Sequence, residues 1–275
     1  MKKASQPSDK YIDVNGLNLH YLEWGNSEAT PMLLLHGLCS HAHYWDFFAS
    51  SIAQDYYVLA LDQRGHGDSS WAENYGPRYY VFDLEVFITN LNIRDVTIIG
   101  HSMGGINAII YAALHPDQVK NLIIVDIGPE IGSSGIERME RERFLQPEAF
   151  VSQVEVTEYY RRTQPRYSES FVQHLIQYSI KYDDLGRIIF KHDKILQKTT
   201  LKSPEWLWDY LGQVICPTLL LHGNESDILP NDIAKRVGST LPFGTVTDIE
   251  NSGHSILGDN LESFEATVRK FLNPN

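Results

Sequence analysis

The sequence predicts an α/β protein, a mostly parallel sheet with helices on both faces and a helical segment inserted late in the chain. Three observations carry this expectation. Short continuous apolar runs of strand length recur along the chain, stretches of helical periodicity lie between them, and one long polar segment interrupts the alternation.

The first element is a hairpin, because Tyr11–Val14 and Leu17–Trp24 alternate around Asn15-Gly16, a dipeptide suited to two-residue turns. Buried parallel strands are expected at Met32–Gly37, Tyr56–Asp62, Val96–Ser102 and Leu122–Gly128, with helices at about Ala42–Ala53, Tyr80–Leu91 and Gly104–Leu114. His115-Pro116 ends the last of these, since a proline disfavours helical backbone before it. The rhythm returns with a strand at Pro217–Gly223, a helix from Asn231, a strand at Gly244–Glu250 and a closing helix over Asn260–Leu272. Between them, about Glu130 to Glu205, the chain is rich in Arg, Glu, Gln and Tyr and has no convincing buried strand; Phe171–Tyr182 reads as helix. The division expected is a core of residues 1–129 and 206–275 and an inserted helical layer of residues 130–205.

Composition narrows the function classes. At 275 residues the chain suits one α/β domain with an insertion, and no stretch reaches the roughly 18 apolar residues that span a bilayer. The opening MKKASQPSDK has no apolar run behind its lysines, so it reads as a loose tail rather than an export signal, and the compartment expected is cytoplasmic. Two cysteines, Cys39 and Cys216, make no disulfide framework. A net charge of −12 disfavours nucleic acid and anionic membrane as partners. A small-molecule substrate is expected, a homodimer is admitted, and no cofactor or metal is called for.

Gly100-His101-Ser102-Met103-Gly104 is a G-x-S-x-G between an expected strand and an expected helix. Glycines flank such a serine because a side chain at either position would collide with neighbouring elements on so sharp a turn. A serine hydroxyl is a weak nucleophile, so it needs a base within reach and a third group to orient that base. His254 in Asn251–Ser255 and Asp227 in Gly223–Asp227 both follow strands, at the sheet end where open α/β sheets bind ligands. Asp126 follows another strand and is the alternative acid.

Five stretches, LLLHGLCSHAHYW (Leu33–Trp45), LDQRGHGDSS (Leu61–Ser70), IIGHSMGG (Ile98–Gly105), LLLHGNESDIL (Leu219–Leu229) and NSGHSI (Asn251–Ile256), resemble the α/β-hydrolase superfamily over nearly the whole chain. The resemblance implies an eight-stranded, mostly parallel sheet with a helical cap after the sixth strand. It also implies nucleophile Ser102, acid Asp227 and base His254, with an oxyanion hole from the backbone N–H groups of Leu38 and Met103. Capped carboxylesterases, carbon–carbon bond hydrolases and enamide hydrolases are the similar branches; a receptor of the same fold with little turnover is the non-enzymatic reading. An aspartate-nucleophile chemistry is disfavoured by Ser102.

Other polar residues have plainer readings. His36 and His101 read as packed, hydrogen-bonded histidines, and Asp62, Arg64, His66 and Asp68 as a loop bonded within itself rather than a metal or phosphate site. Cys39 reads as pocket lining. Glu225 and Asp232 read as solvated or helix-capping, and Tyr159, Tyr160, Tyr167, Phe171, Tyr178 and Tyr182 either line a pocket or pack the insertion down.

Overall fold

The turn dipeptide sets the first pairing. In the computed structural model, which describes residues 6–198 and 202–273, β1 (Ser8–Val14) and β2 (Leu17–Trp24) run antiparallel, Val14 opposite Leu17 and Ser8 opposite Glu23. Asn15 and Gly16 both hold positive φ, 51° and 76°, as the tight hairpin turn requires. Ser8–Lys10, expected in a loose tail, belong to β1; Met1–Ser5 lie outside the described residues.

The alternation then follows: β3 (Thr30–Leu35), α1 (Asp46–Ile52), β4 (Tyr56–Leu61), α2 (Pro77–Asn90), β5 (Val96–His101), α3 (Met103–Leu114) and β6 (Val119–Val125). Helix α2 starts three residues ahead of the expected Tyr80, because Pro77 supplies a preset φ where no N–H is needed. Ala42–Trp45 is a tight 3-10 turn leading into α1 rather than part of one helix.

Beyond β6 the chain leaves the sheet for α4 (Ser133–Phe144), α5 (Gln153–Thr163) and α6 (Glu169–Ser179). The hydroxyls of Ser152 and Ser168 accept from the N–H groups of Glu155 and Phe171 and so start α5 and α6. Two expectations fail here. The helix read over Phe171–Tyr182 stops at Ser179, and a hairpin of β7 (Ile180–Tyr182) and β8 (Ile188–Phe190) takes over, with Gly186 in the turn at φ 72°. All three residues of β8 are buried, so the insertion does contain a buried strand; β-branched residues at 180, 188 and 189 favour it. Then come α7 (Lys194–Gln197) and α8 (Trp208–Leu211), and the chain re-enters the sheet through β9 (Thr218–Gly223), α9 (Asn231–Thr240), β10 (Gly244–Ile249), α10 (Ile256–Asp259) and α11 (Leu261–Leu272). The short α10 is unanticipated; Asn260 separates it from α11, capping the latter through Ser263 N–H.

The eight-stranded sheet has the order β1-β2-β4-β3-β5-β6-β9-β10, antiparallel at β1-β2-β4 and parallel beyond. Strand parity divides the core. Leu33, Leu35, Ile98, Leu122, Ile124 and Leu220 face one layer with α2, α3, α8 and α9, while Met32, Leu34, Ile99, Ile123, Leu219 and Leu221 face Trp45, Phe48, Phe264 and Val268. Each such side chain removed from water contributes about 1.5–3 kcal/mol, and burial on both faces explains why these strands read as unbroken apolar runs. The insertion has its own apolar cluster of Phe150, Val156, Val172, Ile176, Ile188 and Phe190. Among the described residues, no helix is long and apolar enough to cross a membrane.

Candidate active site

β5 ends in a bend with Ser102 at its tip. Ser102 takes φ 53° and ψ −117°, a conformation costly for any residue with a side chain. The flanking glycines allow it: a Cβ on Gly100 would stand 2.6 Å from the Gly104 carbonyl carbon, and one on Gly104 2.6 Å from that of Leu35. α3 thus begins pressed against β3 and β5. The Ser102 N–H donates to Val125 O (3.1 Å), tying the bend to the end of β6.

The residue after Val125 is Asp126, fully buried and itself at φ 50°. Its carboxylate gathers three donors from two other loops. Oδ1 accepts from Gly223 N–H (2.8 Å), and Oδ2 accepts from Ser226 Oγ (2.5 Å) and from His254 Nδ1 (2.9 Å). The His254 Nδ1–H is thereby fixed, which leaves Nε2 for proton transfer.

Ser102 and His254 line one cavity of about 560 Å³. Their backbones are fastened together by His101, whose Nε2–H donates to His254 O (3.0 Å) and whose ring lies 4.8 Å from that of His254. Burial, then the nearby His254, pushes the His101 pKa down to about 3, so it stays neutral and acts as a fixed donor. Tyr44 stacks on the His101 ring. His36 is equally structural: its Nδ1–H donates to Gly37 O (2.8 Å), its Nε2 accepts from Gln63 N–H (3.1 Å), and burial lowers its pKa. These bonds hold the turn in which Leu38 follows β3. Leu38 and Ser102 line the cavity, and Met103 opens α3 directly after Ser102. Among the described residues, the N–H groups of Leu38 and Met103 donate to no backbone carbonyl.

Asp227, expected to orient His254, does not. Both of its oxygens are taken by Arg138 of α4, Oδ2 from Nε (2.6 Å) and Oδ1 from Nη2 (2.8 Å), and that guanidinium holds the carboxyl below its usual pKa. The physical reason lies in the loop after β9. It turns immediately, with Ser226 N–H donating to Gly223 O (2.9 Å), so Ser226 reaches Asp126 while Asp227 is carried toward the insertion. The carboxylate on His254 is the alternative, Asp126. Sequence reasoning missed Ser226 and Arg138. Arg138 lies among several charged residues of α4, SSGIERMERERF, and nothing in that pattern singles it out.

The remaining candidates sort cleanly. Cys39 lines the cavity, and burial pushes its thiol up to about 12, so it is no nucleophile at neutral pH. Tyr159, Tyr160 and Tyr167 line the cavity; Phe171 packs into the core, Tyr178 stacks on His43 at 3.5 Å, and Tyr182 is exposed. Glu225 pairs with Arg166 (2.5 Å), and Asp232 lies in the first turn of α9.

The loop of Asp62, Arg64, His66 and Asp68 is bonded partly within itself and partly to neighbouring elements. Asp62 is buried, which disfavours its charge, yet His20 Nδ1 (2.7 Å) and then Asp68 N–H (2.9 Å) hold it well below the carboxylate range, and Ala42 N–H (2.6 Å) donates to its other oxygen. Arg64 forks onto Asp83, and His66 Nδ1–H donates to Arg64 O. His20, Asp62 and Asp68 bring ligand-type atoms within 4.8 Å of one another, but these atoms already serve His20 and Lys191.

The family model described as alpha/beta hydrolase fold matches residues 30–261. An esterase of Mycobacterium tuberculosis is 28% identical, with 91% of this chain and 85% of the relative covered. Among solved structures, an E-2-(acetamidomethylene)succinate hydrolase superposes with TM-score 0.89 at 20% identity, covering 97% of this chain and 99% of the other, which shows the fold alone. An α/β hydrolase from Novosphingobium aromaticivorans superposes with TM-score 0.80 at 27% identity, covering 97% and 98%. Relatives named as esterases and hydrolases support a hydrolase, and the chain belongs to the α/β-hydrolase fold family.

Proposed function

We propose that the protein is a serine hydrolase that cleaves a carboxylic ester or similarly activated acyl substrate through an acyl-enzyme, with Ser102 as nucleophile, His254 as base and Asp126 as orienting acid. One observation carries the reading: the strained Ser102 shares a cavity with a histidine whose Nδ1 is held by a wholly buried carboxylate at 2.9 Å. Relatives named as esterases support the ester class.

In this mechanism Ser102 Oγ attacks the substrate carbonyl carbon and its proton passes to His254 Nε2. The carbonyl oxygen becomes an alkoxide that accepts hydrogen bonds from the N–H groups of Leu38 and Met103, each worth about 3 kcal/mol on mutational precedent. Collapse breaks the bond to the leaving group, which takes the proton from His254. Water then attacks the acyl-serine, giving its proton to the same nitrogen, and the second collapse returns it to Ser102. The insertion acts as a cap that roofs Ser102 with Tyr159, Tyr160 and Phe190 and limits water.

Two measurements test the reading. Ser102→Ala abolishes turnover of p-nitrophenyl butyrate with the fold intact by circular dichroism, and a fluorophosphonate modifies wild-type Ser102. Undiminished turnover by the variant removes Ser102 as nucleophile, and an unlabelled wild type favours a binding protein of the same fold.

A further inference from the structure

The cavity above Ser102 is lined by five of the chain's twelve arginines, while none of its lysines lines it among the described residues. In a protein of net charge −12, composition alone does not produce such a concentration. Arg138 is committed to Asp227 and Glu142, and Arg166 to Glu225. Among the described residues, Arg141 and Arg162 meet no carboxylate; Arg162 lies over the Tyr159 ring. Arg143, half-buried at the end of α4, stands near enough to Cys39, the residue after Leu38, for its charge to favour the thiolate. The fourth lining carboxylate, Asp259, accepts from Gly253 N–H (2.8 Å) and is pushed toward its neutral form by burial.

We infer that the substrate carries a second, anionic carboxylate beside the carbonyl that Ser102 attacks, and that Arg141 and Arg162 in the cavity wall select for it. This rests on the hydrolase reading and deepens it. The chemistry matches the residue type, because a guanidinium binds a planar carboxylate through two parallel N–H donors, whereas a lysine offers a point charge that stays hydrated. Arg141 and Arg162 are exposed where they line the cavity and, among the described residues, pair with no carboxylate, so an anionic substrate reaches them without first breaking an ion pair.

The test compares mono-p-nitrophenyl esters of adipic and suberic acids with p-nitrophenyl hexanoate and octanoate, the neutral esters of matching length. Expected is a kcat/KM ratio of at least about tenfold in favour of the half-esters, reduced severalfold at 0.5 M salt because the contact is electrostatic. In Arg141→Gln, and separately in Arg162→Gln, that ratio falls toward one. A wild-type ratio at or below one overturns the inference without any variant having to fold, and so does a ratio unchanged in both. If neutral esters are cleaved and Ser102 is labelled by a fluorophosphonate, such a result leaves the hydrolase reading standing. If neither ester class is cleaved and Ser102 stays unlabelled, the hydrolase reading falls and takes this inference with it.

Discussion

His254 Nδ1 lies 2.9 Å from Asp126 Oδ2, and the same carboxylate receives Gly223 N–H and Ser226 Oγ. One buried group therefore ties the ends of β6, β9 and β10 together beneath the cavity. Its position is set at the backbone, where Asp126 holds φ 50° and its N–H donates to Leu221 O (2.8 Å).

Asp126→Asn is expected to cut kcat by about 10³- to 10⁴-fold with little change in KM. The amide offers one acceptor oxygen where three donors converge, so His254 loses the bond that fixes its tautomer; the corresponding change in a serine protease costs about 10⁴. Asp227→Asn is expected to cost less than tenfold on a neutral ester, since its carboxylate serves Arg138. Steady-state kinetics on p-nitrophenyl butyrate decide the matter, and the reverse ranking would restore Asp227 as the orienting acid.

Arg138 and Asp227 join α4 of the insertion to the loop after β9 by two parallel bonds, each partner about 30% exposed. Bidentate geometry raises the value of the pair and partial exposure lowers it, leaving about 1 kcal/mol. Arg138→Met is expected to lower Tm by roughly 2–4 °C for a chain of this size and to speed amide exchange in α4. A double-mutant cycle with Asp227→Asn is expected to give a coupling of about 1 kcal/mol. Additive variants would mean the two side chains do not hold the insertion down.

The sheet was legible because its strands are covered on both faces, so Leu33–Leu35, Ile98–Ile99 and Leu219–Leu221 show as runs that no surface strand needs. Ser102 was legible because its strain demands glycines at 100 and 104. The acid was not, since Asp126 and Asp227 both follow buried strands and only the direction of the turn after β9 tells which one meets His254. The β7–β8 hairpin stayed hidden for another reason: three-residue strands are shorter than a period-two pattern can reveal, and Phe171–Ser179 supplied helical periodicity that ran into them.

His174 of α6 and His43 both meet Asp46 Oδ2, at 3.1 and 2.9 Å, and Tyr178 stacks on His43. Burial disfavours the charge on His174, but the Asp46 carboxylate more than offsets it and raises the His174 pKa above 6.5. Burial likewise opposes the Asp46 charge, and the two imidazoles reverse that and lower its pKa. The His174 contribution is therefore full below about pH 6.5 and is lost as pH rises through the raised value; the Asp46 contribution is full above about pH 4 and is lost in more acid solution. His174→Gln is expected to lower Tm by roughly 2 °C at pH 6 and by less at pH 8.5. An equal deficit at both values would show that the contact holds α6 by packing alone.

Two glycine-to-alanine changes of identical chemistry are expected to act in opposite directions. At Gly104 the new methyl would stand 2.6 Å from the Leu35 carbonyl carbon and 2.7 Å from the His36 carbonyl oxygen, backbone atoms that cannot swing aside. α3 would have to lift from β3, carrying Ser102 and the Met103 N–H with it, so the fold loses about 1–3 kcal/mol or more and activity falls by at least two orders of magnitude. At Gly212, the C-cap of α8, φ is −67° and no atom stands within 4 Å of an added Cβ. Alanine there restricts only the unfolded chain, so Gly212→Ala is expected to be neutral or to stabilise by about 0.4–1 kcal/mol. Urea unfolding of both variants measures the contrast, and a well-folded, fully active Gly104→Ala would mean that close approach of α3 to the sheet is not what shapes the bend at Ser102.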